Sequence, residues 1–460
     1  MRNHDTGGRH IEERISRRSF VRSAAAGAGG LALGHGLVGS SYVWAEGPGP
    51  LLPPIVTGNS PEICLNSRLS YHSGLGGTAS DQQIANVLWA AGRAPVVGAS
   101  RTIYLKTIHG TYVYHPEDHS LESYSTETVA NAFRLNFDRE LDFDAGVSYQ
   151  FALAESVSLW TGTASQLRSC PQQSDLNFGI GTVAGLSLKR VAVSSDSTLP
   201  TPRSNSSTNL EEVLSALTLQ TEFAPADLEL AELSQLLWAG YGCIPHWTSN
   251  SRGALTAPSW VAEYFLTGRI YVVQDKVWRF CNRRGTDRAT RDHRLELVQD
   301  ADVRAEVRQA LHGLPEAPCY VLLCLDQAGL GTWYCRLETG FVAGGMLIQA
   351  AADGLACHFR APLSSQEQAD LQLVTHIPPG DYPHALVALG GMPPPVSLRV
   401  SREAGETRLD WDGGTPPYRI LRSESNDFAD PTVLEEAWPD SFYVDFGTLS
   451  DGRNYFYMVE

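Results

Sequence analysis

Residues 230–266 read LAELSQLLWAGYGCIPHWTSNSRGALTAPSWVAEYFL, and this stretch gives the first indication of the fold. Leucines recur at helical spacing in its first half, and the glycines and proline of residues 240–245 predict the end of that helix. A polar loop with a glycine follows, and Pro258 and Ser259 then open a second apolar run. Taken alone, the stretch predicts a buried helix and a surface loop.

The chain contains this pattern twice. Residues 87–95, VLWAAGRAP, match residues 236–245, LLWAGYGCIP, with one inserted residue. Three further matches follow in the same order, namely β-rich runs at 102–105 and 269–272, Asp-His pairs at 118–119 and 292–293, and the starts of apolar stretches of small residues at 175–178 and 338–341. Four ordered matches predict a duplicated module whose period is far longer than that of a solenoid repeat.

The helix, the polar loop and the Pro-Ser turn resemble the flavin-binding segment of the nitroreductase family, most closely the branch that includes azoline dehydrogenases. In that family a Pro-Ser turn lies against the flavin, at an interface between two subunits. Together with the duplication, the resemblance implies an α+β fold with FMN as cofactor. Two nitroreductase-like modules, each an antiparallel or mixed sheet with helices, would form a pseudo-dimer within one chain. We therefore expect a monomer.

The phosphate of the flavin is expected at the start of the first module. Arg68, Ser70 and His72 stand at alternate positions in NSRLSYHSG, residues 66–74. The nitroreductase family begins with arginine, serine and arginine in this arrangement, and they bind the phosphate. A buried phosphate favours a permanently charged, bidentate donor with a hydroxyl nearby, whereas a histidine can be neutral at pH 7. The resemblance therefore implies that Arg68 and Ser70 bind the phosphate and that His72 binds it more weakly.

The two modules keep different parts of this site. The first has APVVGA at residues 94–99 in place of Pro-Ser, and the second has LTLQTEF at residues 217–223 in place of arginine and serine. In the family, the two elements come from opposite subunits. The resemblance thus implies one asymmetric flavin site, with Arg68 on one side and Pro258 and Ser259 on the other, while the symmetry-related site has lost both elements.

Other site residues are implied by position. Gly354 and Leu355 resemble the family segment that precedes a loop facing the flavin, so we assign them to cofactor binding. Tyr264 follows the Pro-Ser turn and is the candidate catalytic group. Residues 319–325, CYVLLCL, predict a continuous apolar strand, and residues 338–355 predict a long helix. Gly344 and Gly345 stand in that helix where the family often has glutamine and asparagine, and such small residues would let another helix approach closely.

Five segments are predicted, in chain order a twin-arginine signal peptide at 1–45, a linker at 46–61, the two modules at 62–200 and 201–392, and a small β-sandwich at 393–460. In the last segment short alternating runs are separated by Gly, Pro and Asp turns. Trp411, Tyr418 and the ending LxxGxxYxYxV resemble a fibronectin type III-like domain. Such domains are usually spacers or adhesive modules, so this one is a candidate contact for a protein partner.

Export is predicted by the leader. SRRSFV at residues 16–21 matches a twin-arginine signal, an Ala/Gly-rich run follows, and VWA at 43–45 places a small residue at a cleavage position. The run is too short and too rich in glycine to be a good membrane span. Removing residues 1–45 takes away six arginines and three acidic residues, so the net charge changes from −16 to −19. We expect a periplasmic or otherwise extracytoplasmic protein.

Composition and motifs narrow the function. The acidic balance argues against nucleic acid or an anionic membrane as partner. None of the eight cysteines forms a C-x-x-C pair, and the chain has neither a G-x-S-x-G elbow nor a P-loop, so no metal site or hydrolase is predicted. The sequence favours an exported FMN-dependent oxidoreductase, acting on a small-molecule or peptide substrate by hydride or electron transfer. The alternative is a catalytically inactive descendant acting as a binding or assembly module.

Overall fold

Strand pairing divides the protein into two six-stranded sheets and a C-terminal pair of three-stranded sheets. A two-stranded hairpin lies between the two six-stranded sheets in sequence. The computed structural model describes residues 48–459, with gaps at 71–78, 98–100, 130–132, 138–141, 160–161, 170–175, 182–198, 248–252, 284–290, 394–395, 404–405, 415–416, 427, 429 and 447–452. The predicted signal peptide lies outside this part of the chain. Among the described helices, none is long and apolar enough to cross a membrane.

The first half of the chain, up to residue 200, begins with two capped helices. Helix α2 starts with a capping box in which Ser80 and Gln83 satisfy each other's backbone N–H groups. The described elements, in order, are α1 Pro61–Ser67, α2 Asp81–Arg93, β1 Ile103–Lys106, β2 Thr111–His115, β3 Ser120–Ser125, β4 Phe133–Phe137, α3 Asp142–Ser158, β5 Gly162–Ser169 and β6 Leu176–Gly181.

The second half, residues 201–392, is built around β12, whose sequence CYVLLCL is buried at every position. Its described elements are α4 Leu210–Ala216, α5 Leu230–Tyr241, β7 Cys243–Trp247, β8 Gly253–Leu255, a 3₁₀ turn Trp260–Ala262, β9 Ile270–Val273, β10 Val277–Arg283, β11 Arg291–Gln299, α6 Arg304–Ala310, β12 Cys319–Leu325, α7 Gln327–Leu330, α8 Trp333–Ala352, β13 Leu355–Arg360, α9 Ser365–Thr375 and β14 Tyr382–Gly391.

The two large sheets have the same strand order. The first runs β3-β2-β1-β4-β6-β5 and the second β11-β10-β9-β12-β14-β13, with every pair antiparallel. In each sheet a hairpin-connected trio precedes a long helix, α3 or α8, and the strand after that helix lies at the edge. The fold is therefore α+β, as predicted. The sequence prediction of a helix at residues 338–355 was wrong at both ends, because α8 runs from Trp333 to Ala352.

Helices α3 and α8 pack backbone to backbone. A Cβ added at Gly146 would stand 2.3 Å from the Leu337 carbonyl oxygen and 2.9 Å from the Gly340 Cα, and one added at Gly340 would stand 2.1 Å from the Phe143 oxygen. Nearby, a Cβ at Gly344 would also meet α3, at 3.1 Å from Gln150. The small residues seen in the sequence thus mark the line along which the two halves meet.

Two buried polar clusters occupy corresponding positions in the two halves. In one cluster, Gln349 donates to Glu62 at 3.1 Å and accepts from Gln235 at 3.1 Å. Glu62 is the second residue of α1, so the first helix of one half binds helices of the other.

In the corresponding cluster, Asn86 donates to Glu155 at 2.8 Å, and Glu211, the second residue of α4, lies beside Glu155. Glu155 follows Gly146 by nine residues, just as Gln349 follows Gly340. The two clusters therefore differ in one central group, a carboxyl in one and an amide in the other.

The C-terminal strands form two facing sheets, β15-β16-β19 and β18-β17-β20. Their described core contains Leu409, Trp411, Tyr418 and Ile420, and the rings of Trp411 and Tyr418 meet edge to face at 5.3 Å. The strands are β15 Ser397–Glu403, β16 Glu406–Asp412, β17 Tyr418–Ser423, β18 Thr432–Trp438, β19 Phe442–Asp445 and β20 Phe456–Val459.

Substitution of Gly146 by alanine should separate α3 from α8, because the new methyl group would overlap the Leu337 oxygen. We expect the free energy of unfolding to fall by about 3 kcal/mol in chemical denaturation. The matched control is Gly331→Ala, where the nearest atom to a new Cβ is 3.6 Å away and the change should be within about 0.5 kcal/mol. Equal stability of the two variants would contradict the contact.

Glu155 should make stability depend on pH. Burial, together with the neighbouring Glu211, raises the pKa of Glu155 from 4.5 to about 8. The folded state therefore holds this proton to a higher pH than the unfolded chain. The contribution of Glu155 to the free energy of unfolding is fully present below pH 4.5 and is lost as the pH rises through about 8, at up to ~1.4 kcal/mol per pH unit.

The corresponding Gln349 shows that an amide fits at this position. Glu155→Gln should remove that part of the pH dependence, as measured by urea denaturation at several pH values between 5 and 8. Glu212→Gln, an exposed neighbour on α4, is the control and should leave the slope unchanged. A Glu155→Gln protein with the parent slope would show that the carboxyl is ionised in the folded state.

Candidate functional site

The side chain of Arg68, in the first half of the chain, contacts the second half. Arg68 follows α1, is 3% exposed, and its Nη2 donates to the carbonyl oxygens of Leu255 at 2.6 Å and Ala257 at 3.4 Å. Its Nη1 donates to the Ser70 hydroxyl at 2.9 Å, while the buried Nε has no acceptor among the described atoms. Arg68 and Ser70 are thus adjacent, and Arg68 contacts the residues immediately before Pro258.

The segment after Pro258 and Ser259 has an unusual backbone. Val261, Ala262 and Tyr264 have positive φ angles of 44°, 55° and 59°. Left-handed conformations are disfavoured for residues with a Cβ, most strongly for a β-branched one such as Val261, so the surrounding contacts must hold this segment in place. Such strain is concentrated at functional sites, and here it coincides with the Pro-Ser turn predicted from the sequence.

Tyr264 links the two sides of the site. Its hydroxyl interacts with Arg68 and accepts the Leu255 N–H at 3.3 Å, and its own N–H donates to the Ser259 hydroxyl at 2.7 Å. The guanidinium of Arg283 lies over its ring, 4.5 Å from the ring centre. Burial raises the pKa of the Tyr264 hydroxyl, so it is a protonated donor near neutral pH.

A buried carboxyl lies beside the same turn. Glu338, on α8, accepts from the Tyr241 hydroxyl and interacts with the Ser259 hydroxyl. Burial raises the pKa of Glu338 from 4.5 to about 7, and the hydrogen bonds oppose that rise only in part. Glu338 carries no local sequence signal for this role, because only the fold brings residues 338 and 259 together. Its chemistry is that of a carboxyl group that gains and loses a proton near neutrality.

Aromatic side chains cover the outside of the turn. Trp260 stacks on Tyr334 with ring centres 5.6 Å apart and an angle of 16°, and Trp333 and Phe265 each contact Tyr334 as well. All four are half-buried. They form an apolar wall beside the polar cluster of Ser259, Tyr264 and Glu338.

The position corresponding to Arg68 in the other half has no such cluster among the described residues. Leu217 follows α4 as Arg68 follows α1, and it is buried. The loop that corresponds to the Pro-Ser turn meets α3 instead, where Asp144 accepts the Val97 N–H at 3.1 Å. No residue from 94 to 97 has a positive φ. The described residues therefore place the arginine and the Pro-Ser turn together on one side only.

Two of the predicted site residues are not part of this cluster, and a third, His72, lies outside the described residues. Gly354 and Leu355 follow the C-terminus of α8, where Gly354 has a φ of 69° and Leu355 begins β13. Glu338 is near the other end of that helix, so about 24 Å of helix separates the two groups. The structure thus does not bring Gly354 and Leu355 to Ser259.

A crevice of about 830 Å³ lies elsewhere, between residues 221–225, α6 and Pro417. Its arginines are already paired, Arg304 with Asp302 and Arg308 with Glu316. Nothing in its lining requires a ligand. The seven described cysteines are all free thiols, so they form no disulfide and offer no further crosslink near the turn.

Comparisons with known proteins concern the fold. No protein-family model matches the chain, and a search of curated proteins finds no match. Among solved structures, a protein of Anabaena variabilis provisionally named a nitroreductase is similar over 68% of this chain and 88% of its own, at 11% identity and a TM-score of 0.47. An FMN-dependent nitroreductase of Clostridium difficile is similar over 39% of this chain and 85% of its own, at 14% identity and a TM-score of 0.27.

An NADPH:FMN oxidoreductase of Vibrio harveyi is similar over 40% of this chain and 68% of its own, at 15% identity and a TM-score of 0.27. The similarity to the first of these proteins extends over most of this chain's length. Likenesses this remote carry no argument about what this chain does. The chemistry of the site has to be argued from this protein's own residues.

Removal of the Tyr264 hydroxyl should weaken the junction between the two halves. Tyr264→Phe keeps the ring under Arg283 but leaves the Leu255 N–H without its acceptor, so we expect a loss of about 2 kcal/mol in the free energy of unfolding. In the control, Tyr334→Phe, the ring stacking is kept and the change should be below about 0.5 kcal/mol. A Tyr264→Phe protein as stable as the control would show that the hydroxyl is not needed at the junction.

Proposed function

We propose that this protein is an exported FMN-dependent oxidoreductase with one flavin site, built between two fused nitroreductase-like modules. The observation that carries the proposal is the reach of Arg68, which donates to Leu255 and Ala257 just before Pro258 and Ser259. Arg68 and the Pro-Ser turn are therefore adjacent, and the sequence resemblance assigns them to opposite walls of a flavin site. The corresponding Leu217 cannot make such contacts.

The duplication is part of this proposal, and three features support it. Both large sheets have the same strand order. The polar clusters around Glu155 and Gln349 are built from corresponding positions of three helices. Finally, α3 and α8 approach each other through Gly146 and Gly340, as two copies of one helix would across a former symmetry axis.

Arg68 and Ser70 fit the phosphate group of an anionic cofactor. Arg68 is buried and cationic, with an unpartnered Nε, and the Ser70 hydroxyl lies beside it. Arg68 and Ser70 would hold the phosphate of FMN, and the segment at Pro258 and Ser259 would lie against its ring. Bound FMN would supply hydride or electron transfer.

The chain's own groups would then set the conditions for that chemistry. Glu338, with a pKa of about 7, holds a proton at a carboxyl that contacts Ser259. Tyr264 keeps a protonated hydroxyl at Arg68. The wall formed by Trp260 and Tyr334 would exclude water from one side of the turn. A small-molecule or peptide substrate is consistent with such a half-covered site.

A second function is favoured by one observation. Three of the hydrogen bonds that Arg68 can donate are already made to protein oxygens, as expected of a structural crosslink between the halves. A flavin-free assembly protein that keeps the fold would need no more than this. The C-terminal sandwich would serve as a spacer or a contact for a protein partner in either case.

Flavin loading distinguishes the two functions. We expect the protein to bind FMN with a yellow absorption spectrum and more tightly than riboflavin, which lacks the phosphate. Arg68→Ala should weaken FMN binding by ~100-fold through lost charge-assisted hydrogen bonds while leaving riboflavin binding nearly unchanged. Fluorescence titration measures both affinities.

Leu217→Ala is the matched control, because it changes the corresponding position of the other half. It should leave both affinities unaltered, and circular dichroism should show that each variant is folded. A colourless protein that cannot be loaded with FMN would favour the assembly function.

A further inference from the structure

Two buried arginines face each other at the ends of neighbouring strands. Arg283 closes β10 and Arg291 opens β11, and they are directly opposite in the antiparallel register. They are only 6% and 4% exposed. Like charges in direct cross-strand pairs are destabilising, and burial strengthens the repulsion because the local dielectric is low. The pair therefore requires a compensating group.

The described protein residues supply only neutral partners. Arg283 donates to the Gly253 carbonyl oxygen, and Arg291 donates to that of Ile244. The Nε and Nη1 of Arg291 are buried without an acceptor among the described atoms. Asp292, the nearest carboxylate in sequence, is paired with Arg294 instead. Buried charges are normally paired, so this arrangement is costly for the protein alone.

The described surroundings do not offset the positive charge. The Arg283 guanidinium lies over the Tyr264 ring, and the hydroxyl of that ring interacts with Arg68, a third buried arginine. The Cys243 thiol lies near Arg283 and Arg291, and burial raises its pKa, so it stays uncharged near neutral pH. Three arginines thus converge around the β7–β8 hairpin in a chain whose net charge is −16.

We propose that Arg283 and Arg291 form a binding site for a compact oxyanion, a phosphate or a carboxylate group. A planar guanidinium presents paired N–H donors that match such a group, and the anion would satisfy the free N–H groups of Arg291 and remove the repulsion between the two cations. The site does not depend on flavin binding. Its oxyanion could be carried by the cofactor or by an acidic substrate, because Tyr264 connects it to Arg68.

The test uses the full chain as the protein and inorganic phosphate as the probe. Thermal unfolding is followed as phosphate is raised to 50 mM in place of chloride, at constant ionic strength. Phosphate should raise the Tm of the parent protein, because a ligand that binds only the folded state stabilises it. Arg283→Met and Arg291→Met should weaken phosphate binding at least about tenfold and abolish most of the shift.

The matched control is Arg279→Met, which removes an arginine from the same strand. Arg279 is half-buried and already paired with Glu296, so the phosphate shift should persist. Arg291→Lys keeps the charge without the planar fork and should retain part of the shift, which a purely structural arginine would not predict. Absence of a phosphate-specific shift in the parent protein, or equal loss of it in Arg279→Met, would overturn the inference.

Adding FMN to the same experiment distinguishes the two sources of the anion. If saturating FMN removes the phosphate shift, the site takes the cofactor's own phosphate in place of Arg68 and Ser70. If the two shifts add, the site serves an anionic substrate. A phosphate shift that depends on Arg291 in a protein unable to bind FMN would uphold this site and reject the proposed flavin function. The two proposals can therefore fail separately.

Discussion

The contact between α3 and α8 is the constraint on which the rest of the structure depends. Because Gly146 and Gly340 have no Cβ, the two backbones touch, and neither helix can shift without a clash. This joins the two halves of the chain, each of which has its own six-stranded sheet. It also fixes where α1 and α4 can lie, and each of them binds helices of the other half. Arg68 reaches the second half only because α1 ends there.

Because the two halves have the same strand order, residues at corresponding positions can be compared directly. Gln349 and Glu155 occupy corresponding positions, yet one is a neutral amide and the other a buried carboxyl beside Glu211. Arg68 corresponds to Leu217 in the same way. Among the described residues, 94–97 on the Leu217 side have no positive φ, whereas three residues after Ser259 on the Arg68 side are left-handed.

The sequence predicted those parts of the fold that local patterns determine. Apolar spacing located α5 correctly, and the run CYVLLCL marked β12 at its true bounds because a continuous apolar strand must be buried on both faces. The order of matching segments was also visible in the sequence. The start of α8 was misplaced, because Trp333 to Leu337 carry no periodic signal distinct from the turn before them.

The candidate site was predictable only in part. Arg68 and the Pro-Ser turn came from local motifs, and the fold brings them together across 187 residues between Arg68 and its acceptor Leu255. Glu338 and Arg283 were not found, since their roles depend on contacts between distant elements. The basic composition around residues 283–291, RRGTDRATR, was the one signal in the sequence that could have indicated the arginine pair.

Uncompensated charge and backbone strain are independent costs, and their coincidence argues for function. A left-handed Val261 could be a local accident of the loop, and an unpaired Arg291 could be a local accident of the hairpin. Val261 follows Ser259, which accepts the Tyr264 N–H, and Arg291 lies opposite Arg283, whose guanidinium covers the Tyr264 ring. Folding alone gives no reason to place two such costs together, whereas binding an anionic ligand would repay the electrostatic one and use the strained turn to shape the site.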